Sequence, residues 1–236
     1  MKALNCPNCG AALPARSLKD DIASCEFCGI SFRIPKSLTP EPDMGDLLLG
    51  ADFSQRINPG WELVNEDKLS FHKGPPAELR GKFKPQVNSY YALKSSGFLD
   101  NFDVSATIRF LDGDKEWIRA GFFFRHTTEG GYGIMVSVQA SYTFGYVAKD
   151  EKGELLFYKI MPWAYHTALR SGNNEFNRLR VICNGDNFRI YLNGVLATSF
   201  QDDRFKMGKF YLAAEPSEKS SMEVGFSDLQ VREVPR

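Results

Sequence analysis

The chain has 236 residues, 43% of them apolar and 13% aromatic, which is enough to bury a sizeable core in one large or two unequal domains and excludes a disordered chain. Its 29 basic residues balance its 29 acidic ones, so no whole-molecule field draws it to nucleic acid or to an anionic membrane. The first residues lack a basic stretch followed by an apolar run, and no window approaches the roughly 18 uninterrupted apolar residues that span a bilayer, so a soluble, cytoplasmic protein with no membrane partner is expected.

The chain opens with CPNCGAALPARSLKDDIASCEFCG, which holds four of its five cysteines as two Cys-x-x-Cys pairs. Cys6 and Cys9 form the first pair, Cys25 and Cys28 the second. Two residues between thiolates let one tight turn aim both sulfurs at one ion, and two such turns complete a tetrahedral four-thiolate shell. Gly10 and Gly29 each follow a pair, where a residue without Cβ can take positive φ and turn N–H groups towards sulfur. Zn2+ is the ion this spacing favours; an iron–sulfur cluster would use the same thiolates, and a redox pair would need only one Cys-x-x-Cys. Four thiolates close the shell, so the expected role is structural. The knuckles CPNCG and CEFCG resemble those of the zinc-ribbon family, and over residues 1–34 the resemblance implies two small β-hairpins clamped by the metal.

Pro35, Pro40 and Pro42 then interrupt any regular element, so residues 35–51 are expected to form a linker. Leu47, Leu48 and Leu49 sit awkwardly in it, because three adjacent leucines call for a surface on which to dock.

From residue 52 onward the period is two. In FDVSATIRF, Phe102, Val104, Ala106, Ile108 and Phe110 alternate with Asp103, Ser105, Thr107 and Arg109, predicting one buried and one wet face. YGIMVSVQ repeats the pattern, and RLRVICNGDNFRIYLNGVLATSF predicts three strands joined at Asn184-Gly185-Asp186 and at Asn193-Gly194. Cys183 alternates with Leu179 and Val181 and reads as a buried small hydrophobe. No amphipathic helix of useful length separates the strands, so the large domain is expected to be antiparallel. The predicted fold is mostly β: a small zinc ribbon joined to an antiparallel two-sheet β-sandwich, or jelly roll, over residues 52–236.

The segments DFSQRINPGWELVNEDKLSF, NFDVSATIRF, RAGFFFR, GYGIMVSV, FKMGKFYLAA and FSDLQV, with the YLNG turn among them, resemble in combination the concanavalin A-like lectin/glucanase and laminin-G-like jelly rolls. The resemblance implies two curved sheets packed face to face, in a family whose members bind sugars, cleave glycans or bind proteins.

Catalysis has no visible carrier in the sequence. Retaining glucanases need two carboxylates roughly 5 Å apart, and the β domain lacks a Glu-x-Asp-x-x-Glu strand. Asp112, Asp114 and Glu116 form the nearest array, but Asp112-Gly113 is a turn signal; a hairpin tip and an acid or calcium cluster are the two readings. His72, His126 and His166 are scattered, and Gly130-Gly131 reads as a hairpin turn.

A non-enzymatic binding protein is therefore expected, recognising a protein or a glycan on its concave face or its loops. A role for both domains in protein assembly, without a small ligand, stands beside glycan recognition. The other class places function in the ribbon, contacting nucleic acid or a regulatory complex with the sandwich as scaffold, and a glycoside hydrolase with an unrecognised site is the second alternative. Lys2, Arg16, Lys19, Arg33 and Lys36 against Asp20, Asp21 and Glu26 give no dense basic run, which disfavours nucleic acid. Candidate ligand-binding residues are Trp163, Tyr165 and His166, placed at a loop because Pro162 argues against a central strand, with Trp117 and Tyr132 beside predicted turns. Trp163 has an alternative role as a packing plug beneath that loop.

Overall fold

The computed structural model describes residues 4–5, 11–13, 18–19, 22–29, 31–33, 43–54, 57–86, 88–114 and 117–234. Cys6, Cys9, Gly10 and Glu116 lie outside the described residues. Strands β1 (Leu4–Asn5) and β2 (Ala12–Leu13) form an antiparallel pair, and β3 (Leu18–Lys19), β4 (Ile22–Ser24) and β5 (Ser31–Arg33) form a small antiparallel sheet.

Fifteen longer strands follow in this order. They begin with β6 (Leu47–Ala51), β7 (Trp61–Leu63), β8 (Leu69–His72), β9 (Glu78–Phe83) and β10 (Tyr90–Ser95). Next come β11 (Phe102–Gly113), β12 (Arg119–Thr127), β13 (Gly130–Ser137), β14 (Ser141–Lys149) and β15 (Leu155–Tyr165). The last are β16 (Phe176–Asn184), β17 (Asn187–Leu192), β18 (Val195–Gln201), β19 (Lys209–Glu215) and β20 (Met222–Arg232). Among the described residues the only helical element is the short turn Glu66–Lys68, and no helix is long and apolar enough to cross a membrane.

A seven-stranded sheet runs β15-β14-β13-β12-β19-β10-β7. An eight-stranded sheet runs β18-β17-β16-β11-β20-β9-β8, with β6 also on β20. Their inner faces meet in one core, where Phe122, Phe124, Ile134 and Phe144 of the first sheet join Val104, Ile108, Val181 and Phe226 of the second. Each such side chain contributes about 1.5–3 kcal/mol on burial. Cys183 lies in this core, and burial pushes its thiol pKa far up.

The turns follow their sequence signals. Asn193 (φ 49) and Gly194 (φ 81) join β17 to β18 with positive φ at both central positions, as a primed turn requires. Gly185 (φ 57) serves β16–β17 with positive φ at the first central position. The chain ends of several loops converge on Arg125, which is fully buried. Its guanidinium donates to the carbonyls of Asp100 (2.7 and 2.9 Å), Gly185 (2.8 Å) and Phe205 (3.1 Å) and lies 5.1 Å from the Phe188 ring.

Three expectations change. The sandwich begins before residue 52, because β6 pairs with β20 through Leu49↔Val231 and Ala51↔Leu229; the three leucines thus enter a strand at the end of the expected linker. Leu49 packs on the core while Leu47 and Leu48 stay exposed. The outer side of FDVSATIRF is not wet: Asp103, Ser105 and Thr107 are buried. Ion pairing explains this, since Arg180 grips Asp103 at 2.5 and 2.7 Å beside Tyr191, and Arg109 and Arg80 hold the buried Glu78 at 2.5–2.8 Å. Asp112-Gly113 is not a hairpin tip. The turn after it carries the chain from β11 in one sheet to β12 in the other.

Candidate functional site

Strand parity builds a second apolar surface on the outer face of the seven-stranded sheet. On β12, Phe122 and Phe124 enter the core, so Arg119 and Phe123 turn outward. The same alternation points Met135 on β13, Thr143 and Val147 on β14, and Tyr211, Ala213 and Glu215 on β19 to the outer face, where Met135, Thr143, Val147 and Ala213 are covered by their neighbours. Phe123, Met135, Val147 and Ala213 form a cluster separate from the main core, with Tyr91, Phe157, Trp163 and Tyr211 packed on it. Two glycines let Phe157 lie down on the sheet. A Cβ on Gly133 would stand 2.7 Å from Phe123 and 3.1 Å from Phe157, and one on Gly145 would stand 2.9 Å from Phe157 and 2.2 Å from the Tyr158 carbonyl.

Two adjoining pockets open on this face. The first, about 380 Å³, has Phe123, Met135 and Thr143 as its floor, with Phe157, Lys159 and Trp163 on one side and Trp117, Arg119 and Glu215 on the other. The second, about 390 Å³, is lined by Gln86, Asp114, Trp117, Arg119, Glu215 and the segment Pro216–Lys219. Trp117, Arg119 and Glu215 belong to both and form the saddle between them. Arg119 donates to Glu215 at 2.6 Å while its guanidinium lies 4.9 Å from the Trp163 ring and 5.9 Å from the Trp117 ring. Arg119 thus lies within cation–π distance of both indoles while its ion pair ties it to Glu215. The volumes lie in the range of small-molecule sites, and the lining is aromatic with a few convergent polar groups.

Beyond Phe123 the floor continues as an aromatic group around His126, which meets Tyr211, Phe123 and Tyr91 edge-on at 5.3, 6.0 and 6.1 Å. Burial holds the His126 imidazole below its usual pKa, so it is neutral at pH 7, and its buried Nε2 has no hydrogen-bond partner in the structure. Burial, with the neighbouring Tyr211, raises the Tyr91 phenol.

The predicted residues divide. Trp163 and Trp117 reach the site, whereas Tyr165 is 69% exposed and lines neither pocket. Trp163, Pro162 and Tyr165 are not in a loop: they belong to β15, which tolerates proline because it is the outermost strand of its sheet. Tyr132 is wrong as a ligand contact. It is fully buried on the core side of β13, and its hydroxyl donates to Asp202 at 2.6 Å; burial and that carboxylate raise its pKa strongly. His166 faces away from the pockets' lining, accepting the Ala168 N–H at Nδ1 (3.2 Å) and meeting Tyr142 edge-on. Asp114 lines the second pocket, and its carbonyl accepts the N–H groups of Trp117 and Ile118. Among the described residues no group of three or more His, Cys, Asp or Glu is placed to hold a metal. Arg119, Phe123, Phe157, Lys159, Glu215 and His126 were not legible as site residues; their face became visible only once β12, β15 and β19 were placed in one sheet.

In the cysteine segment, Cys25 is buried, residues 26–28 form a turn, and Gly29 (φ 72) donates its N–H to the Cys25 carbonyl at 2.9 Å.

The two-sheet β-sandwich fold is shared with three solved structures that align over nearly their whole length. The carbohydrate-binding module CBM66 from Bacillus subtilis superposes with a TM-score of 0.53 at 20% identity, over 74% of this chain and 96% of that one. A Bacillus licheniformis β-glucanase gives 0.58 at 10% identity, covering 81% and 100%. A Bacteroides ovatus mixed-linkage glucan GH16 protein in complex with its product gives 0.56 at 12%, covering 78% and 100%. Residues 59–232 match the model of the 3-keto-alpha-glucoside-1,2-lyase-like domain, and the chain belongs to that family. No curated protein matches it.

Proposed function

We propose that the sandwich binds a glycan, without cleaving it, across the outer face of the seven-stranded sheet. The carrying observation is Arg119, held between Trp163, Trp117 and Glu215 at the divide of two aromatic-lined pockets. Aromatic faces suit the C–H surface of sugar rings, and a fixed guanidinium fork donates to hydroxyls or acidic groups at the junction between two units. A carbohydrate-binding module and a glucan-bound protein of the same fold support the reading. Among the described residues Glu215 is the one carboxylate lining the aromatic pocket, and it is committed to Arg119, which argues for binding over acid–base chemistry. On a glycan array followed by calorimetry, Trp163→Ala is expected to weaken the best ligand at least tenfold with little change in unfolding midpoint. Binding that ignores Trp163→Ala, or no glycan bound at all, removes the proposal.

The family description favours a second reading, elimination on a 3-keto glucoside. Such a step needs a base for the proton on carbon 2, acidified by the neighbouring ketone, and His126 is the neutral imidazole on this face. Turnover of a 3-keto-α-glucoside that disappears in His126→Gln would replace the binding reading.

For the cysteine segment we propose a structural Zn2+ held by Cys6, Cys9, Cys25 and Cys28, in a reducing compartment such as the cytoplasm, with the segment serving as a docking unit for a protein partner. The Cys25–Gly29 turn supports this. The metal would supply folding free energy and no chemistry, since four thiolates leave no open position. One equivalent of zinc is expected in protein purified without chelator and less than a tenth in Cys25→Ser.

A further inference from the structure

We infer that the first pocket takes a sugar unit carrying an acidic substituent, a carboxylate or a sulfate ester; this rests on the glycan-binding reading and narrows it to a substrate class. Lys159, Arg119 and Glu215 are the charged groups lining that pocket. Arg119 and Glu215 pair at 2.6 Å and cancel. Lys159 is left over: it is exposed, and no carboxylate among the described residues pairs with it. The second pocket has the opposite balance, with Asp114, Glu215 and Glu218 against Arg119 and Lys219. The cleft is therefore polarised along its length, one pocket holding an excess positive charge and its neighbour an excess negative one.

Strand geometry places the excess cation where a stacked ring would present a substituent. Phe157 and Lys159 are opposite Val147 and Gly145 in the register, two residues apart on β15, so their side chains share a face at a spacing of roughly 6.5–7 Å. Because Gly145 has no side chain, nothing on β14 stands between Lys159 and the pocket floor. A ring resting on Phe157 and Trp163 thus puts an acidic group within reach of the four-carbon lysine. Shifted into the second pocket, where Arg119 and Glu215 again cancel, the same group would meet Asp114 and Glu218 against Lys219 alone, a net negative lining, so charge also sets the direction in which the chain lies.

The test uses calorimetry on the full chain with three tetramers: galacturonate, its fully methyl-esterified neutral form, and a sulfated galactose. At least one acidic tetramer is expected to bind tenfold or more tightly than the neutral ester, with that preference falling as salt rises. Lys159→Gln is expected to remove most of the preference, bringing the acidic tetramer's affinity down to about that of the ester. The arm that binds identifies carboxylate or sulfate. Equal affinity for acidic and neutral forms, or a preference that survives Lys159→Gln, overturns the inference but leaves glycan binding standing. If no acidic tetramer binds, the inference falls, and a panel of neutral glycans with Trp163→Ala decides separately whether the glycan reading falls with it.

Discussion

On the outer face of the eight-stranded sheet, Asp103 meets Arg180 and Glu78 meets Arg80 and Arg109, each carboxylate holding its partner within 2.8 Å. On the outer face of the seven-stranded sheet the outward positions are Phe123, Met135, Phe157 and Trp163, interrupted by Gly133 and Gly145. Both faces lie outside the core and both carry arginine. In the first, guanidinium groups are used up on buried acids and the surface is finished. In the second, one guanidinium lies near two indoles beside pockets that no described residue fills. An outer face that satisfies its own charges serves stability, whereas one that leaves aromatic area and a fixed cation open is available to a ligand.

Substitutions on each face can break or sharpen that contrast. The largest effect is expected from Arg180→Ala, which strands the buried Asp103 carboxylate and should cost about 3–5 kcal/mol in chemical denaturation while leaving glycan affinity unchanged. A Asp103→Asn, Arg180→Met double variant should recover much of the loss. Next comes Phe157→Ala on the half-buried face of an outermost strand: a stability loss of about 1–2 kcal/mol is expected, below that of a core phenylalanine, together with a clear drop in affinity by calorimetry. If Phe157→Ala costs as much stability as Arg180→Ala and leaves affinity intact, the two faces do not differ in the way described. Gly133→Ala should change stability by less than about 1 kcal/mol, because the atoms it meets are ring edges that can shift, yet lift Phe157 enough to weaken the ligand several-fold.

The smallest effect is a pH dependence. His126 and His166 both have folded pKa values lowered by burial, so their contribution to stability is fully present above the unfolded value near 6.5 and is lost as pH falls from there towards the folded values. Thermal unfolding midpoints measured from pH 7.5 to 5 should fall. The fall should be shallower in His126→Phe, and an unchanged slope would remove His126 from the account.

Much of the sandwich was legible because alternation and turn chemistry are local. Asn193-Gly194 announces its hairpin within two residues, and Ile134, Val136 and Val181 announce a buried face. The site was less legible for reasons that are not local. In GFFFR the sequence contains three adjacent phenylalanines, and nothing in it says that Phe122 and Phe124 enter the core while Phe123 does not. Arg119 and Glu215 are 96 residues apart and meet only because β12 and β19 are neighbours. Pro162 pointed to a loop, since a proline is excluded from a strand with neighbours on both sides; the missing fact was that β15 has a neighbour on one side alone. Tyr132 misled for the converse reason: its turn-flanking position suggested exposure, while strand parity turned it inward to Asp202.

The leucine run sets where the chain enters the sandwich. With Leu47–Ala51 stitched to β20, and Glu233 donating its N–H to the Asp46 carbonyl at 2.8 Å, the chain joins the eight-stranded sheet and leaves the seven-stranded one, with its aromatic pockets, untouched by that crossing. On the proposed glycan reading, several copies of the chain brought together would meet a polymeric glycan as an array, and weak individual contacts would add up through effective concentration alone.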